Sequence, residues 1–149
     1  MRKMLVFDMD GTIADLYGTD NWLTDLRNEK VDPYVNAKPL YNMDEMSSML
    51  NKAKSNGWRI AVTTWLAKDA SRDYDKAVAE AKKAWLAKYD FPYDEIHCLK
   101  YGRTKAEATR KKADFQVLID DNKKVRDGWT LGTTVNAKYD IMKFLESLT

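Results

Sequence analysis

One short stretch near the N-terminus constrains the fold more strongly than any other part of the chain. The apolar run Met4–Val6 leads into Phe7–Thr12, in which two carboxylates lie one residue apart. Alternation along a buried strand would place Asp8 and Asp10 on one side and Met9 on the other. Two adjacent carboxylates repel each other unless a cation or a shared proton lies between them. The stretch therefore predicts a buried strand that ends at a bound divalent metal, at a nucleophile with an acid–base partner, or at both.

Along the rest of the chain, apolar runs alternate with helical patterns, which is typical of a parallel sheet covered by helices. Strands are predicted at 3–8, 58–63, 95–99, 115–119 and 133–136. Helices are predicted at 21–28, 43–55, 68–89, 104–113, 122–129 and 139–148. We therefore expect a single α/β domain over residues 1–149, with a three-layer α/β/α, Rossmann-like fold and a five-stranded parallel sheet.

Two of the helices carry more detailed predictions. In helix 68–89, apolar residues recur at spacings of three and four, which predicts the buried stripe Tyr74, Ala77, Val78, Ala81, Trp85 and Tyr89. In helix 104–113, Thr104 is predicted as the N-cap because Glu107 occupies the capping-box position three residues later.

Composition narrows the class of protein. The chain of 149 residues, 44% of them hydrophobic, is long enough for one core. No apolar run approaches the roughly 18 residues of a membrane span, and the N-terminus lacks the apolar segment of a secretory signal. Cys98 is the only cysteine, so an intramolecular disulfide is impossible. We expect a cytoplasmic protein without a membrane partner, and the net charge of +2 does not by itself indicate nucleic-acid binding.

Polar residues follow three of the predicted strands. The three clusters are Asp8 with Asp10, Thr63 with Thr64, and Asp120 with Asp121. The carboxyl ends of parallel strands meet at one edge of the sheet, and this is the edge at which ligands bind in such folds. The sequence therefore predicts that the three clusters form one site.

The chemistry that fits such an edge is phosphoryl transfer. Carboxylate oxygens are the ligands that Mg²⁺ prefers, and Thr63 offers a hydroxyl and a main-chain N–H to a phosphate oxygen. A lysine is also needed to offset the charge of the phosphoryl group and the nucleophile. Lys105, at the start of helix 104–113, is predicted to supply this charge, with Lys100 as the alternative.

These residues together resemble the motifs of a known family. Asp8–Thr12 resembles the first motif of the haloacid-dehalogenase (HAD) superfamily of phosphohydrolases. Residues 60–63 form an apolar strand ending in Thr, which is similar to the second motif, and Lys105 matches the lysine of the third. Residues 117–121 form a strand ending in an acidic pair, as in the fourth motif. The four motifs occur in the family order and span residues 8–121.

The resemblance implies a mechanism and a cofactor. Asp8 would attack the substrate phosphorus and form an aspartyl-phosphate. Asp10 would protonate the leaving oxygen and then deprotonate the hydrolytic water. Thr63 and Lys105 would hold the phosphoryl oxygens. Mg²⁺ would be bound by Asp8, by the main-chain carbonyl of Asp10, and by Asp120 or Asp121.

The resemblance also bears on the substrate. Selectivity in this family comes largely from cap insertions, and residues 16–40 leave room here only for a flap and a very small cap. The motifs are similar to those of the 5′(3′)-deoxyribonucleotidases and of the phosphatase domain of polynucleotide kinase-phosphatase. A small phosphorylated substrate, a nucleotide, is therefore expected, with a nucleic-acid 3′ end as the alternative. Candidate contacts to it are Thr64 and the aromatic residues Tyr17, Trp22 and Trp65, which could stack on a base.

Two other functions stay open on the sequence alone. The chain could be a non-catalytic phosphate-binding module that keeps the shape of the site. It could also be a receiver-type signalling domain, which forms an aspartyl-phosphate on a five-stranded parallel sheet. Receivers carry the phospho-acceptor at the third strand, however, and residues 97–99 offer no Asp there, which argues against that class.

Overall fold

The computed structural model describes residues 1–139 and 141–149 and has the predicted α/β architecture. Its strands are β1 Lys3–Phe7, β2 Ala14–Asp15, β3 Lys38–Pro39, β4 Trp58–Trp65, β5 Glu95–Leu99, β6 Phe115–Asp120 and β7 Gly132–Asn136. Its helices are α1 Trp22–Arg27, α2 Asp32–Asn36, α3 Met43–Ser55, α4 Arg72–Lys88, α5 Ala106–Thr109, α6 Lys123–Asp127 and α7 Ile141–Glu146. Five strands form one parallel sheet in the order β5-β4-β1-β6-β7.

The central position of β1 decides which residues meet at the edge of the sheet. Phe7, the last residue of β1, pairs with Val62 of β4 and with Ile119 of β6. The main-chain N–H of Asp8 donates to the carbonyl of Ile119 at 2.9 Å, which continues this pairing by one residue. The residues that come next on the three strands are Asp8, Thr63 and Asp120. Strand order and register therefore bring the three predicted clusters to one edge.

Helices cover both faces of the sheet, which makes the three expected layers. Side chains alternate along each strand and so enter two separate buried clusters. One cluster receives Leu5, Phe7, Ile60, Val62, Val117 and Ile119 and is covered by α3, α4 and α7. The other receives Met4, Val6, Ala61 and Leu118 and is covered by α5 and by Trp129, which follows α6.

Residues 16–40 form a small separate structure beside the sheet. The segment contains a 3₁₀ turn at Leu16–Gly18, α1, α2 and β3, and β3 pairs antiparallel with β2. A third apolar cluster joins the segment to the N-terminal half of α4 through Leu16, Tyr34, Tyr74 and Val78. The Tyr74 hydroxyl also donates to the carbonyl of Lys30 at 2.6 Å. Helix α4 therefore holds this segment against the sheet.

Most predicted elements are confirmed, with differences at their ends. Helix α3 and strand β5 have the predicted bounds, and the short helix predicted at 21–28 is α1. Strands β4 and β6 run past their predicted ends to Trp65 and Asp120, because those residues still pair with β5 and β7. Helix α6 is shorter than predicted and begins after Asn122, whose side chain accepts from the main-chain N–H of Lys124 at 2.9 Å.

The long helix starts later than predicted. Helix α4 begins at Arg72 because Ser71 is its N-cap and accepts from the main-chain N–H of Tyr74 at 3.2 Å. Residues 66–71 form a loop instead. The predicted stripe was right for Tyr74, Val78, Ala81 and Trp85, but Ala77 is exposed and Tyr89 only half-buried. Three further residues of α4 are buried that the stripe did not include, namely Asp75, Lys82 and Leu86.

The prediction for helix 104–113 was wrong in both length and cap. Helix α5 spans only Ala106–Thr109, and Lys105 rather than Thr104 precedes it, without a side-chain cap. Arg110 leaves the helical conformation with φ −54° and ψ 134°, and Lys111 has a φ of +67°, so the helix cannot continue.

The last helix is also shorter than predicted. Helix α7 lies inside the predicted range 139–148, of which residue 140 falls outside the described residues. Within the described chain, no helix combines the length and apolar character that a membrane span requires.

The packing of α3 leads to a first prediction. Leu50 is 0% exposed in the main cluster, so Leu50→Ala leaves a cavity and should lower the free energy of unfolding by roughly 2–5 kcal/mol. Lys52, on the same helix, is exposed, so Lys52→Ala should change it by no more than about 0.5 kcal/mol. Urea denaturation followed by circular dichroism measures both. Equal values for the two variants would contradict the packing described here.

Candidate active site

Three carboxylates converge at the edge where β1 and β6 end. Asp8 follows β1, Asp120 is the last residue of β6, and Asp121 comes next. One oxygen atom from each of the three lies within 4.8 Å of the other two. Asp8 and Asp120 are buried, at 7% and 0% exposure. Negative charge concentrated in a buried place is costly, so this cluster requires positive partners.

Lys105 is the first such partner. Its Nζ donates to Oδ1 of Asp8 at 2.8 Å and to Oδ2 of Asp120 at 2.9 Å. The next residue, Ala106, is buried in the cluster that α5 covers, which fixes the start of the helix and directs the ammonium to the edge. Burial opposes the charge, but Asp8 and Asp120 outweigh it and raise the pKa of the Lys105 ammonium. Lys105 therefore carries its charge at neutral pH.

The alternative lysine lies outside this group. The Nζ of Lys100 forms an ion pair with Asp75 of α4, and its side chain is 65% exposed. Of the two lysines considered from the sequence, it is Lys105 that contacts the carboxylates.

The environment of Asp8 keeps it ionised. Its second oxygen, Oδ2, accepts a hydrogen bond from the Thr12 hydroxyl at 2.9 Å. Burial favours the neutral acid, but the charge of Lys105 and the hydrogen bonds to the carboxylate hold the pKa of Asp8 below its ordinary value. Asp8 is thus a carboxylate with both oxygens oriented by hydrogen bonds.

An excess of negative charge remains on the acidic pair. Burial and the neighbouring charge of Asp8 raise the pKa of Asp120. The same two causes, in the same order, raise the pKa of Asp121 to about 7. A hard divalent cation takes oxygen ligands of this kind and removes the repulsion between them. The donor atoms of Asp8, Asp120 and Asp121 therefore fit Mg²⁺.

Gly11 lets the main chain approach the acidic pair closely. Its φ is +81°, a conformation that favours glycine. A Cβ atom at this position would lie 2.6 Å from Oδ2 of Asp121 and 3.1 Å from the Tyr17 ring. Glycine is therefore favoured at position 11 for two separate reasons, the positive φ of the turn and the close approach of the main chain to Asp121.

Asp10 lies apart from the three-carboxylate cluster and has its own partner. Its Oδ2 accepts from the Nζ of Lys82 at 2.8 Å. Burial raises the pKa of Asp10 above its ordinary value, more than the Lys82 charge lowers it. That the main-chain carbonyl of Asp10 binds the metal stays a prediction.

The two threonines at the end of β4 differ in their contacts. The Thr64 hydroxyl accepts from the Nζ of Lys82 at 2.6 Å. The Thr63 hydroxyl is fully buried and has no hydrogen-bond partner among the described residues. Ala61 faces the cluster covered by α5, so strand alternation places Thr63 on that face as well, the face of Lys105. Thr63 therefore keeps an unused donor next to Asp8.

Sequence reasoning missed Lys82. The residue is 0% exposed although lysine normally lies on a solvated helix face. A signal was present in the spacing, because Val78, Lys82 and Leu86 lie four residues apart on the buried side of α4. A charged residue within an apolar row indicates a buried partner, here Asp10.

A cavity of about 750 Å³ lies between the carboxylates and residues 16–40. The sheet edge contributes Asp8, Asp10, Lys105, Asp120 and Asp121 to its lining. The end of β4 contributes Thr64 and Trp65, and the loop after it contributes residues 66–70. The segment 16–40 contributes Tyr17, Trp22 and Tyr34 among others, and the exposed Tyr101 also lines the cavity.

Aromatic rings lie on two sides of this cavity. Tyr17 packs against Trp22 with ring centroids 5.0 Å apart, and Trp65 packs against Tyr101 at 5.2 Å. Trp65 is fixed further by its indole N–H, which donates to the carbonyl of Arg103 at 2.8 Å. The structure thus brings the candidate contacts Tyr17, Trp65 and Thr64 to one cavity with the carboxylates, and adds Tyr101, which the sequence did not single out.

The charge excess leads to a second prediction. Burial and the charge of Asp8 raise the pKa of Asp121 to about 7, so the free-energy cost of ionising it in the folded protein grows as the pH rises from about 4 to about 7 and is complete above that. Asp121→Asn removes it and should stabilise the protein in EDTA at pH 8 by on the order of 1 kcal/mol, a rise of about 2–4 °C in Tm. The gain should shrink at pH 5.

In Mg²⁺, the wild type should become more stable than Asp121→Asn. Binding to the native state raises the Tm of the wild type, and the variant, with one ligand fewer, should gain less. Asp127→Asn, which removes an exposed carboxylate paired with Lys123, is the control and should follow the wild type. A variant that is less stable than the wild type in EDTA at pH 8 would contradict the repulsion argument.

The comparisons with known proteins bear on the fold. No protein-family model and no curated protein matches the chain. Among solved structures, the chain is similar to the crystal structure of D,D-heptose 1,7-bisphosphate phosphatase from Burkholderia thailandensis. The TM-score is 0.56 with 13% sequence identity, over 98% of this chain and 97% of that chain. The two proteins therefore share an α/β, Rossmann-like fold along nearly their whole lengths.

Proposed function

We propose that this protein is a Mg²⁺-dependent phosphatase of the HAD superfamily, which hydrolyses a phosphomonoester through an aspartyl-phosphate. The observation that carries the proposal is the pair Asp8 and Asp10 in one cavity with opposite pKa shifts. The pKa of Asp8 is held low, mainly by Lys105 acting against burial, and burial raises the pKa of Asp10. A nucleophile must be ionised and an acid must hold a proton, so the two environments suit the two roles. Fold similarity to a phosphatase supports the same reaction class.

The first half of the reaction transfers the phosphoryl group to the protein. A carboxylate oxygen of Asp8 attacks phosphorus and forms an O–P bond while the bond from phosphorus to the ester oxygen breaks. The ester oxygen keeps the bonding electron pair and takes a proton from the Asp10 carboxyl. The products are an alcohol, the Asp8 acyl phosphate and an Asp10 carboxylate.

The second half restores the enzyme. Water attacks phosphorus, and the bond from phosphorus to the Asp8 oxygen breaks. The Asp10 carboxylate takes the proton that water loses, and inorganic phosphate is released. Asp8 is again ionised and Asp10 again protonated, so atoms and charge balance over the cycle.

Other residues of the edge supply binding and charge. In this proposal Lys105, which is hydrogen-bonded to Asp8, contacts one phosphoryl oxygen, and the unpartnered but fully buried Thr63 hydroxyl donates to another. Mg²⁺, held by Asp8, the Asp10 main-chain carbonyl and Asp120 or Asp121, would neutralise charge on the phosphoryl group. Thr64 keeps its own hydroxyl hydrogen to donate, because it acts as an acceptor toward Lys82.

We further propose that the substrate is a nucleotide. The ring pairs of Tyr17 with Trp22 and of Trp65 with Tyr101 line the cavity and offer flat faces to a base. Residues 16–40 act in this proposal as a minimal cap within a single domain over residues 1–149. A cytoplasmic location stays a prediction.

The reaction is tested with p-nitrophenyl phosphate and Mg²⁺. Asp8→Asn removes the nucleophile and should lower kcat by a factor of about 10³ or more. Asp127→Asn is the matched carboxylate control and should retain wild-type turnover, because its side chain is 63% exposed on α6. Wild-type turnover no faster than that of Asp8→Asn would overturn the proposal. Tight phosphate binding in both, without turnover, would establish a non-catalytic binding module instead.

The proposed nucleotide substrate is tested by removing Tyr17, a candidate for stacking on the base. Tyr17→Ala should raise KM for a deoxynucleoside monophosphate by a factor of about 5–150, since stacking on a base contributes roughly 1–3 kcal/mol. KM for ribose 5-phosphate, which has no base, should stay unchanged and serves as the internal control. Tyr139→Ala, at another strongly exposed tyrosine, should alter neither. Equal changes for both substrates would contradict a base-binding role, and faster turnover of a 3′-phosphorylated oligonucleotide would favour the nucleic-acid alternative.

A further inference from the structure

Lys82 is the most unusual buried group in the described chain. Its ammonium is 0% exposed, and burying an unpaired charge is strongly unfavourable. All three of its donor hydrogens are used. They go to Oδ2 of Asp10 at 2.8 Å, to the hydroxyl of Thr64 at 2.6 Å and to the carbonyl of Trp65 at 2.8 Å. The charge is therefore compensated by three acceptors in a fixed arrangement.

The position of this ammonium is set by the packing of α4. Val78 and Leu86, one turn to either side of Lys82, are both 0% exposed in two different apolar clusters. The ring of Tyr34, from the segment 16–40, lies 5.2 Å from the Nζ and covers it. Helix α4, the end of β4 and the segment 16–40 thus enclose the ammonium, and it cannot move without disrupting all three.

Of these contacts, the one to Asp10 joins Lys82 to the chemistry. Asp10 lies in the turn after β1, where its side chain is 13% exposed and lines the cavity. Lys82 binds one of the two carboxyl oxygens, Oδ2. Within the described residues, the other oxygen, Oδ1, has no hydrogen-bond partner. An oxygen that is left without a partner, on a carboxyl group that is held in place, is available to hold and deliver a proton.

We infer that Lys82 is a positioning residue for Asp10. It fixes the carboxyl through Oδ2 so that Oδ1 carries the proton to the leaving oxygen of the substrate. The inference rests on the proposed phosphatase function and adds to it the residue that directs proton delivery. Lys105 orients the nucleophile in the same way from the other face of the sheet.

A distinctive consequence concerns the leaving group. A phenolate that is stable in water, such as p-nitrophenolate, departs without a proton, whereas a more basic phenolate or an alkoxide needs one. Loss of Lys82 should therefore harm esters with basic leaving groups and spare those with acidic ones. A residue needed only for folding would affect all esters alike.

The experiment compares Lys82→Met with the wild type on p-nitrophenyl, phenyl and p-methoxyphenyl phosphate, at saturating Mg²⁺. The quantity measured is kcat/KM, which reports on the steps up to departure of the leaving group. We expect a loss of less than about 5-fold for the nitrophenyl ester and of about 10²-fold or more for the other two. The ratio of the values for two esters in one preparation does not depend on the folded fraction.

Lys83→Met is the matched control. Lys83 is the next residue of α4, with its side chain 46% exposed, and the ratios should equal those of the wild type. Should Lys82→Met not fold, Lys82→Gln keeps a donor at this position and should show a smaller loss of the same kind. In an Asp10→Asn background, removal of Lys82 should cause no further change in the ratios, because it acts through Asp10.

The outcomes separate the inference from the function it rests on. Wild-type protein that does not hydrolyse p-nitrophenyl phosphate overturns the proposed function. Wild-type turnover with equal losses for all three esters in Lys82→Met overturns the positioning role alone. The same leaving-group dependence in Lys83→Met would also overturn it.

Discussion

Two buried ammonium groups, one from each face of the sheet, hold the carboxylates at its edge. Lys105 reaches Asp8 and Asp120 from the side of α5, and Lys82 reaches Asp10 from the side of α4. A buried charge left without a partner costs several kcal/mol, so neither set of carboxylates would be stable alone. The strand order β4-β1-β6 brings these groups within reach of one another. Lys105 directly precedes the short helix α5, and Lys82 lies within the long helix α4.

The last residues of β4 lie between two groups of side chains at the sheet edge. Thr63 lies on the face of Lys105, and Thr64 bonds to Lys82 on the opposite face. The first group contains the ionised Asp8, the acidic pair and the fully buried Thr63 hydroxyl, which the proposed mechanism uses to hold and attack a phosphoryl group. The other contains the carboxyl with a raised pKa and its fixed partner, which are the parts needed to move a proton. Alternation at Thr63 and Thr64 thus separates the two groups of side chains.

The parallel sheet and the composition of the edge could be predicted, because each strand is an apolar run and its polar end falls at a fixed register. Lys105 was also within reach of prediction, since a charged cluster needs a cation and the motif order indicated which one. Lys82 was not, because an amphipathic pattern assigns lysine to solvent and its partner Asp10 is 72 residues away in sequence. The predicted length of α5 was wrong for a related reason. Lys105, directly before the helix, binds Asp8 and Asp120, and Arg110 already has a non-helical conformation.

The charges at the sheet edge bear more directly than the fold on the choice between a phosphatase and a module that only binds phosphate. A module built only to bind phosphate would gain from positive charge and would be hindered by six carboxylates lining one cavity, four of them, Asp8, Asp10, Asp120 and Asp121, at the sheet edge. Nor would it need two carboxyls two residues apart to differ in pKa, with Asp8 lowered and Asp10 raised. Both features are costly and both are required if one carboxylate attacks and the other carries a proton while a cation balances the rest. The charge distribution is therefore the one that the proposed phosphatase mechanism requires.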